Sequence, residues 1–372
     1  MARQGSRFRG CDDVQLFEFN AGKSVVLFEG HLDNRQEILR SLSLVSGAVS
    51  SDAQLLQLAW QQWGENCLTQ WEGRFACILW DGGTRQLILG CDVLGKRQLH
   101  HWQGREQYLF ASEPRGLLAQ APVTKAFDQT HIAEILALIP PNPTSCIFAN
   151  IQKLPPGYLL IVQAEKLRLH RYWQPENLPY LRLSKPEEYA EALRAALVQA
   201  VACRLPPNGL VGCYLSAGLD SPSVATIAAQ QLEAQGRQLV AFTAVPPLGF
   251  VDQANNPSQI YDEGPLAALV AARHSNIEHV KISNNSLSFF EAMDIRDLSA
   301  DWPGLGATNA RWIMATGQEI KQRGISVMLT GNLGNIGLSY DGMLAPAALL
   351  RQGRLFDLLP ILIGLILSAV VN

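Results

Sequence analysis

The sequence predicts an α+β domain followed by an α/β domain built on a parallel sheet. Three observations carry this. The chain has 372 residues and is 48% hydrophobic, enough for two separate cores. Short strand-like runs dominate up to about residue 163, whereas strands and helices alternate after about residue 187. Between them lies "YWQPENLPYLRLSKPEE" (172–188), rich in proline and polar residues, which reads as a linker. The expected boundaries are 1–170 for the first domain, 171–186 for the linker, 187–345 for the second domain and 346–372 for an apolar tail.

In the first domain, 24–30, 74–81, 86–92, 107–113 and 157–163 read as strands, and "QLHHW" as another. Segments 34–42 and 51–64 read as helices, with Asp52 placed to cap the second. In the second domain, 187–205 has helical spacing. It is followed by strand 211–215, helix 222–235, strand 239–245, helix 263–274, strand 279–283, helix 309–323 and strand 325–330. That alternation predicts a parallel sheet covered on both faces, with ligands bound beyond the carboxyl ends of its strands.

The formal net charge is −3, which gives no electrostatic case for nucleic acid or an anionic membrane as partner. Nothing in the sequence sets an oligomeric state. The seven cysteines (11, 67, 77, 91, 146, 203, 213) contain no C-x-x-C pair and read as buried, reduced thiols of a cytoplasmic protein. The basic start "MARQGSRFRGC" lacks the apolar run of a signal peptide. Residues 358–371 are almost wholly apolar, but they fall short of the roughly 20 residues that span a bilayer. A buried helix or an aberrant end to the reading frame is expected there rather than a membrane anchor.

The stretch "LSAGLDSP" (215–222) follows the first strand of the α/β half and has the parts of an anion site. Gly218 permits a tight turn, Ser216 and Ser221 offer hydroxyls, and Pro222 suits the start of a helix. The helix N-terminus would point N–H groups and partial positive charge at the turn. Asp220 would repel a bare phosphate, which implies a Mg²⁺ between them. The same residues also fit an ordinary strand-to-helix turn with Asp220 or Ser221 as N-cap.

This stretch resembles the S-G-G-x-D-S loop of the ATP pyrophosphatases, which cradles pyrophosphate, with Ala217 in place of the middle glycine. The likeness extends further. Residues 73–102, 109–119 and 147–162 resemble the amidotransferase domain of asparagine synthetases, and "LVAFTAV", 261–274 and 325–335 resemble their synthetase domain. The resemblance covers roughly residues 27–345 and implies an Ntn-hydrolase-like amidotransferase domain followed by an ATP-pyrophosphatase domain. It implies ATP and Mg²⁺, a small-molecule or peptide carboxylate, an amine, and amide formation through an acyl-adenylate. It also implies that Ser216, Gly218 and Ser221 contact pyrophosphate, that Asp220 holds Mg²⁺, and that Leu215, Thr330 and Gly331 line the adenine pocket. A near-match to a Walker A loop, "GCDVLGKR" (90–97), fails at Arg97, where a hydroxyl is needed.

The sequence departs from the family's pattern in three places. The family nucleophile is a cysteine directly after the initiator methionine. Ala2 stands there instead, and Cys11 would need cleavage after Gly10 to gain a free amine. The glutamine-binding Asn-Gly-Glu is replaced by Glu29-Gly30-His31, so glutamine hydrolysis is expected to be absent. Asp52 matches the family's glutamine-binding carboxylate, or simply caps its helix. In "LTGNLGNIGLSY" (329–340), the catalytic glutamate position holds Asn332 and the second Mg²⁺ carboxylate position holds Asn335, followed by Ile336. Metal binding is therefore expected to be weaker, and a macrolactam-type or other amide-forming synthetase, or a non-catalytic remnant, enters beside asparagine synthesis. Finally, the likeness fades after "SYDGMLAP", short of the family's helical portion with its catalytic lysines; a frameshift or early stop would account for that. Of the remaining polar residues, His100 and His101 fall in a hairpin, and Arg204 ends its helix where a cation suits the dipole. Asp262 and Glu263 either cap their helix or approach the ATP phosphates.

Overall fold

The structure is a computed structural model. It describes residues 14–363 apart from 20, 22, 46, 106, 121, 141, 164–165, 248, 251–259, 284–287, 289, 292–308, 341, 343, 357, 360 and 362. The expectations for Ala2 and Cys11, and for the tail beyond residue 363, fall outside the described residues. The chain divides into two compact units, with the break between Leu181 and Arg182, inside the predicted linker.

The first unit is α+β. Strands β1 (Val14–Phe19), β2 (Ser24–Leu32), β3 (Gly73–Asp81), β4 (Gln86–Cys91), β8 (Tyr158–Gln163) and β9 (Lys166–Arg171) form one antiparallel sheet in the order β1-β2-β3-β4-β8-β9. A second sheet contains β5 (His100–Gln103), β6 (Tyr108–Ala111) and β7 (Gln152–Lys153). Helices α1 (Arg35–Ser41), α2 (Asp52–Trp63), α3 (Pro114–Leu118) and α4 (Gln129–Leu136) complete it. Alternation along β2 buries Val26 and Phe28, which meet Leu55, Leu56 and Ala59 of α2 in one core. Phe28, Trp71 and Phe75 pack with ring centroids 5.6 to 5.9 Å apart.

The second unit carries α5 (Pro186–Ala202), β10 (Leu210–Tyr214), α6 (Asp220–Glu233), β11 (Leu239–Ala244), α7 (Gly264–Ala271), β12 (Ile277–Ile282), α8 (Ala310–Arg323), β13 (Ile325–Leu329) and α9 (Ala345–Arg351). The sheet is wholly parallel, in the order β12-β11-β10-β13. Its core strands are near-continuous apolar runs, as expected of a sheet buried on both faces. The chain runs from β10 outward to β11 and β12, then returns to β13 on the other side of β10. The strand order therefore reverses between β10 and β13. In open α/β sheets that reversal opens a crevice at the carboxyl ends of the strands.

Two expected caps are corrected. The N-cap of α2 is Ser51, whose hydroxyl accepts from Gln54 N at 3.2 Å, while Asp52 lies one residue inside the helix. Helix α6 starts at Asp220, two residues earlier than expected. Neither Asp220 nor Ser221 is therefore its N-cap, and Pro222 is the third helical residue. Proline is tolerated there because the first-turn N–H groups have no intrahelical partner. Among the described residues, no helix is long and apolar enough to cross a membrane.

Candidate functional site

The loop between β10 and α6 lies at the carboxyl end of β10, beside the reversal of strand order. Leu215 anchors it from below. Its side chain is 2% exposed and belongs to the core, its N–H donates to Phe242 O at 2.9 Å, and its carbonyl accepts from the Thr243 hydroxyl at 2.7 Å. Above it the loop is knotted by its own serines. Ser216 N donates to Ser221 Oγ at 2.8 Å, the two hydroxyls are 2.7 Å apart, and Gly218 N donates to Ser216 Oγ at 3.2 Å. No side chain caps α6, so the positive end of its dipole lies at this loop without a side-chain partner.

The segment after β13 lies against this loop. The backbone of Gly331 is so close that a Cβ there would be 2.6 Å from Ser221 N and 2.9 Å from Asp220 C. A Cβ at Gly334 would overlap the carboxyl group of Asp220. Ser339 then donates from its hydroxyl to Asp220 Oδ2 at 3.0 Å. Thr330, Gly331 and Asp220 are thus brought to one place from segments over a hundred residues apart. Asn332 and Asn335 sit on the same segment and are exposed, and it is Gly334 whose backbone abuts Asp220.

Asp220 carries the clearest chemical signal. Its Oδ1 is buried and has no hydrogen-bond partner in the structure. A buried carboxylate oxygen without a partner is costly, and a cation satisfies it. A hard divalent cation takes oxygen ligands, and Mg²⁺ is commonly held by one or two carboxylates plus phosphate and water. The donor set fits that ion. It does not form an all-protein cage: among the described residues, no group of three or more His, Cys, Asp or Glu could hold a metal.

Sequence reasoning leaves Asp262 and Glu263 open between capping α7 and approaching the ATP phosphates; α7 has Glu263 at its N-cap position with no side-chain cap bond, and the two carboxylates bond to different amides. Asp262 Oδ1 accepts from Gly264 N at 2.9 Å at the start of α7, whereas Glu263 Oε2 accepts from Ala217 N at 3.4 Å. The roles of Gly334 and Ser339 were not read from the sequence. The run of glycines in 331–337 was the available signal for close backbone approach.

In the first unit, Asp52 and Glu29, which the sequence resemblance aligns with glutamine-binding positions, are paired internally. Asp52 Oδ1 accepts from Arg35 Nε at 2.7 Å, and Gln15 Oε1 accepts from the amides of Asp52 and Ala53 at 2.7 and 3.2 Å. Glu29 pairs with Arg97 at 3.0 Å. His31 is exposed. The Walker-like loop is accounted for as well. Asp92, 1% exposed, accepts from the amides of Phe75, Leu94, Lys96 and Arg97 at 3.0 to 3.2 Å. The amides a phosphate would need are committed to an internal carboxylate. His101 is buried against Tyr108, with ring centroids 5.5 Å apart, and burial, aided by neighbouring His100, depresses its pKa to about 4.

Comparison with known proteins agrees with this two-part architecture. The family described as a glutamine amidotransferase domain matches residues 12–173, and the family described as asparagine synthase matches residues 192–360. The chain belongs to the asparagine synthetase family. Its fold is an α+β glutamine-amidotransferase-type domain followed by the parallel-sheet synthetase domain. Glutamine-hydrolyzing asparagine synthetase 3 of Bacillus subtilis (strain 168) is 27% identical over 215 residues, 57% of this chain and 35% of that protein. Amidase chry2 of Gibberella zeae is 26% identical over 295 residues, 76% of this chain and 42% of that protein. The chain spans about two-fifths or less of the length of these curated relatives. Among solved structures, glutamine phosphoribosylpyrophosphate amidotransferase from B. subtilis, complexed with ADP and GMP, is 15% identical and covers 88% of this chain and 76% of that one. Its TM-score of 0.30 is too low to bear on the site.

Proposed function

We propose that this member of the asparagine synthetase family binds MgATP on the loop 216–221 and uses it to form an amide through an acyl-adenylate. A carboxylate oxygen of the acceptor attacks the α-phosphorus, the bond to the β-phosphate breaks, and pyrophosphate leaves. An amine nitrogen then attacks the acyl carbon, the bond to AMP breaks with AMP as leaving group, and the amine gives up a proton. Ser216, Gly218 and Ser221, with the first-turn amides of α6, would hold the pyrophosphate oxygens. Thr330 and Gly331, with the backbone edge at Leu215, would border the adenine. Mg²⁺ at Asp220, with Asn335 offering at most a neutral oxygen, would neutralise the charge on the departing pyrophosphate.

The observation that carries this reading is the buried, unpartnered Oδ1 of Asp220 in an uncapped strand-to-helix turn, beside the point where strand order reverses. ATP–pyrophosphate exchange tests it. Incubating the chain with MgATP, labelled pyrophosphate and a panel of small-molecule and peptide carboxylates should return label to ATP with at least one acid. No exchange across the panel would leave binding without turnover.

That outcome is the second reading, a non-catalytic nucleotide-binding remnant. It is favoured by Asn332 and Asn335, which put neutral, exposed side chains where the family carries acids. For the first unit, we propose that glutamine is not hydrolysed. Arg35 and Gln15 occupy the Asp52 carboxylate and the amides at the head of α2, and Arg97 neutralises Glu29. The amine would then come from free solution or from the acceptor itself, as in macrolactam formation.

A further inference from the structure

We propose that Ser339 is a positioning residue for Asp220, holding one carboxylate oxygen so that the other faces the metal. This inference rests on the MgATP reading above and adds to it a residue outside the loop. Two features of the segment 331–340 place the hydroxyl. The chain turns back on itself, with Gly334 N donating to Gly331 O at 3.1 Å and Ser339 N donating to Gly334 O at 3.0 Å. That turn presses the Gly334 backbone against the Asp220 carboxyl group and brings Ser339 Oγ to Oδ2 at 3.0 Å. Gly334 packs on the Oδ1 side of the carboxylate, where a side chain would overlap it, and Ser339 fixes its orientation by a hydrogen bond to Oδ2. Oδ1 is left buried and unpartnered.

The choice of donor matters. A lysine or arginine on Oδ2 would hold the carboxylate equally well, but it would add a positive charge beside the cation. A serine hydroxyl donates one hydrogen bond and leaves the full negative charge for the metal. With Asn335 at the position where the family has a second carboxylate, Asp220 is the one anionic ligand this loop pair offers. The orientation of that single group then carries more of the affinity. Outer hydrogen-bond partners of metal ligands typically contribute 10- to 100-fold in metal affinity.

The test is the Mg²⁺ concentration that gives half-maximal ATP binding to the full chain, read by calorimetry at fixed ATP. Ser339→Ala should raise it by roughly tenfold, with binding of metal-free ATP unchanged. Ser339→Thr keeps the hydroxyl and should restore the parent value. Ser339→Val matches threonine in shape without the hydroxyl and should behave as alanine does. If alanine destabilises the chain, the threonine–valine pair still isolates the hydroxyl. Equal Mg²⁺ dependence for threonine and valine variants would overturn the inference while leaving the MgATP reading intact. A parent chain that binds ATP without any Mg²⁺ dependence would overturn both.

Discussion

Ser221 Oγ lies 2.7 Å from Ser216 Oγ and accepts the Ser216 N–H at 2.8 Å, so one buried hydroxyl closes the loop between β10 and α6. Ser221→Ala removes the acceptor and leaves a loop amide without its partner. The expected loss is about 1–3 kcal/mol of stability, together with weaker nucleotide binding. Urea denaturation and ATP titration of the same variant measure the two effects. A variant as stable as the parent, with unchanged ATP affinity, would show that the serine pair does not shape the loop.

Gly331 supplies a steric prediction. Its missing side chain admits the first turn of α6, where a Cβ would be 2.6 Å from a backbone nitrogen that cannot swing aside. Gly331→Ala should destabilise the second unit by about 1–3 kcal/mol, in the range of other overpacking substitutions. Gly337→Ala is the control from the same segment, since a Cβ there would meet nothing within 4 Å. Thermal unfolding of both variants makes the comparison, and equal midpoints would contradict the packing described.

These two positions show what was legible in the sequence. The strand, the small-residue turn and the following helix are local features, and their periodicity places β10, the loop and α6 to within two residues. The start of α6 was misjudged by two residues. Asp220, Ser221 and Pro222 all favour a helix start, and only the backbone shows that Leu219 is the flanking residue. The partners of Asp220 were not legible. Ser339 meets it across 119 positions, and neither residue type announces the other. The same holds for Arg35 and Asp52, where a carboxylate that looked like a cap is an ion-pair partner.

That ion pair leads to the prediction for the first unit. With Asp52 bound by Arg35, and the adjacent amides bound by Gln15, the chain should release no glutamate from glutamine in a coupled assay. Asp52→Asn should cost no more than about 1 kcal/mol, the usual range for a partly exposed pair. Glutamate release at rates that depend on Asp52 would reverse the assignment.

His101 sets a pH dependence. Burial holds its folded pKa at about 4, below the ordinary histidine value near 6.5. Between those values the unfolded chain binds a proton that the folded chain does not. The contribution is therefore fully present above about pH 6.5 and is lost as pH falls toward 4, by up to about 3 kcal/mol. Denaturation of the parent and of His101→Phe at pH 7 and pH 5 checks this. The parent should lose more stability on acidification than the variant, and equal losses would exclude His101 as a source.

The central claim is that the loop after β10 holds MgATP through Asp220. The most direct measurement is calorimetric titration of ATP into the parent and into Asp220→Ala, each with and without Mg²⁺. The parent should bind ATP more tightly with Mg²⁺, and Asp220→Ala should weaken that binding at least tenfold, or ~1.4 kcal/mol. Equal MgATP affinity in parent and variant would contradict the claim.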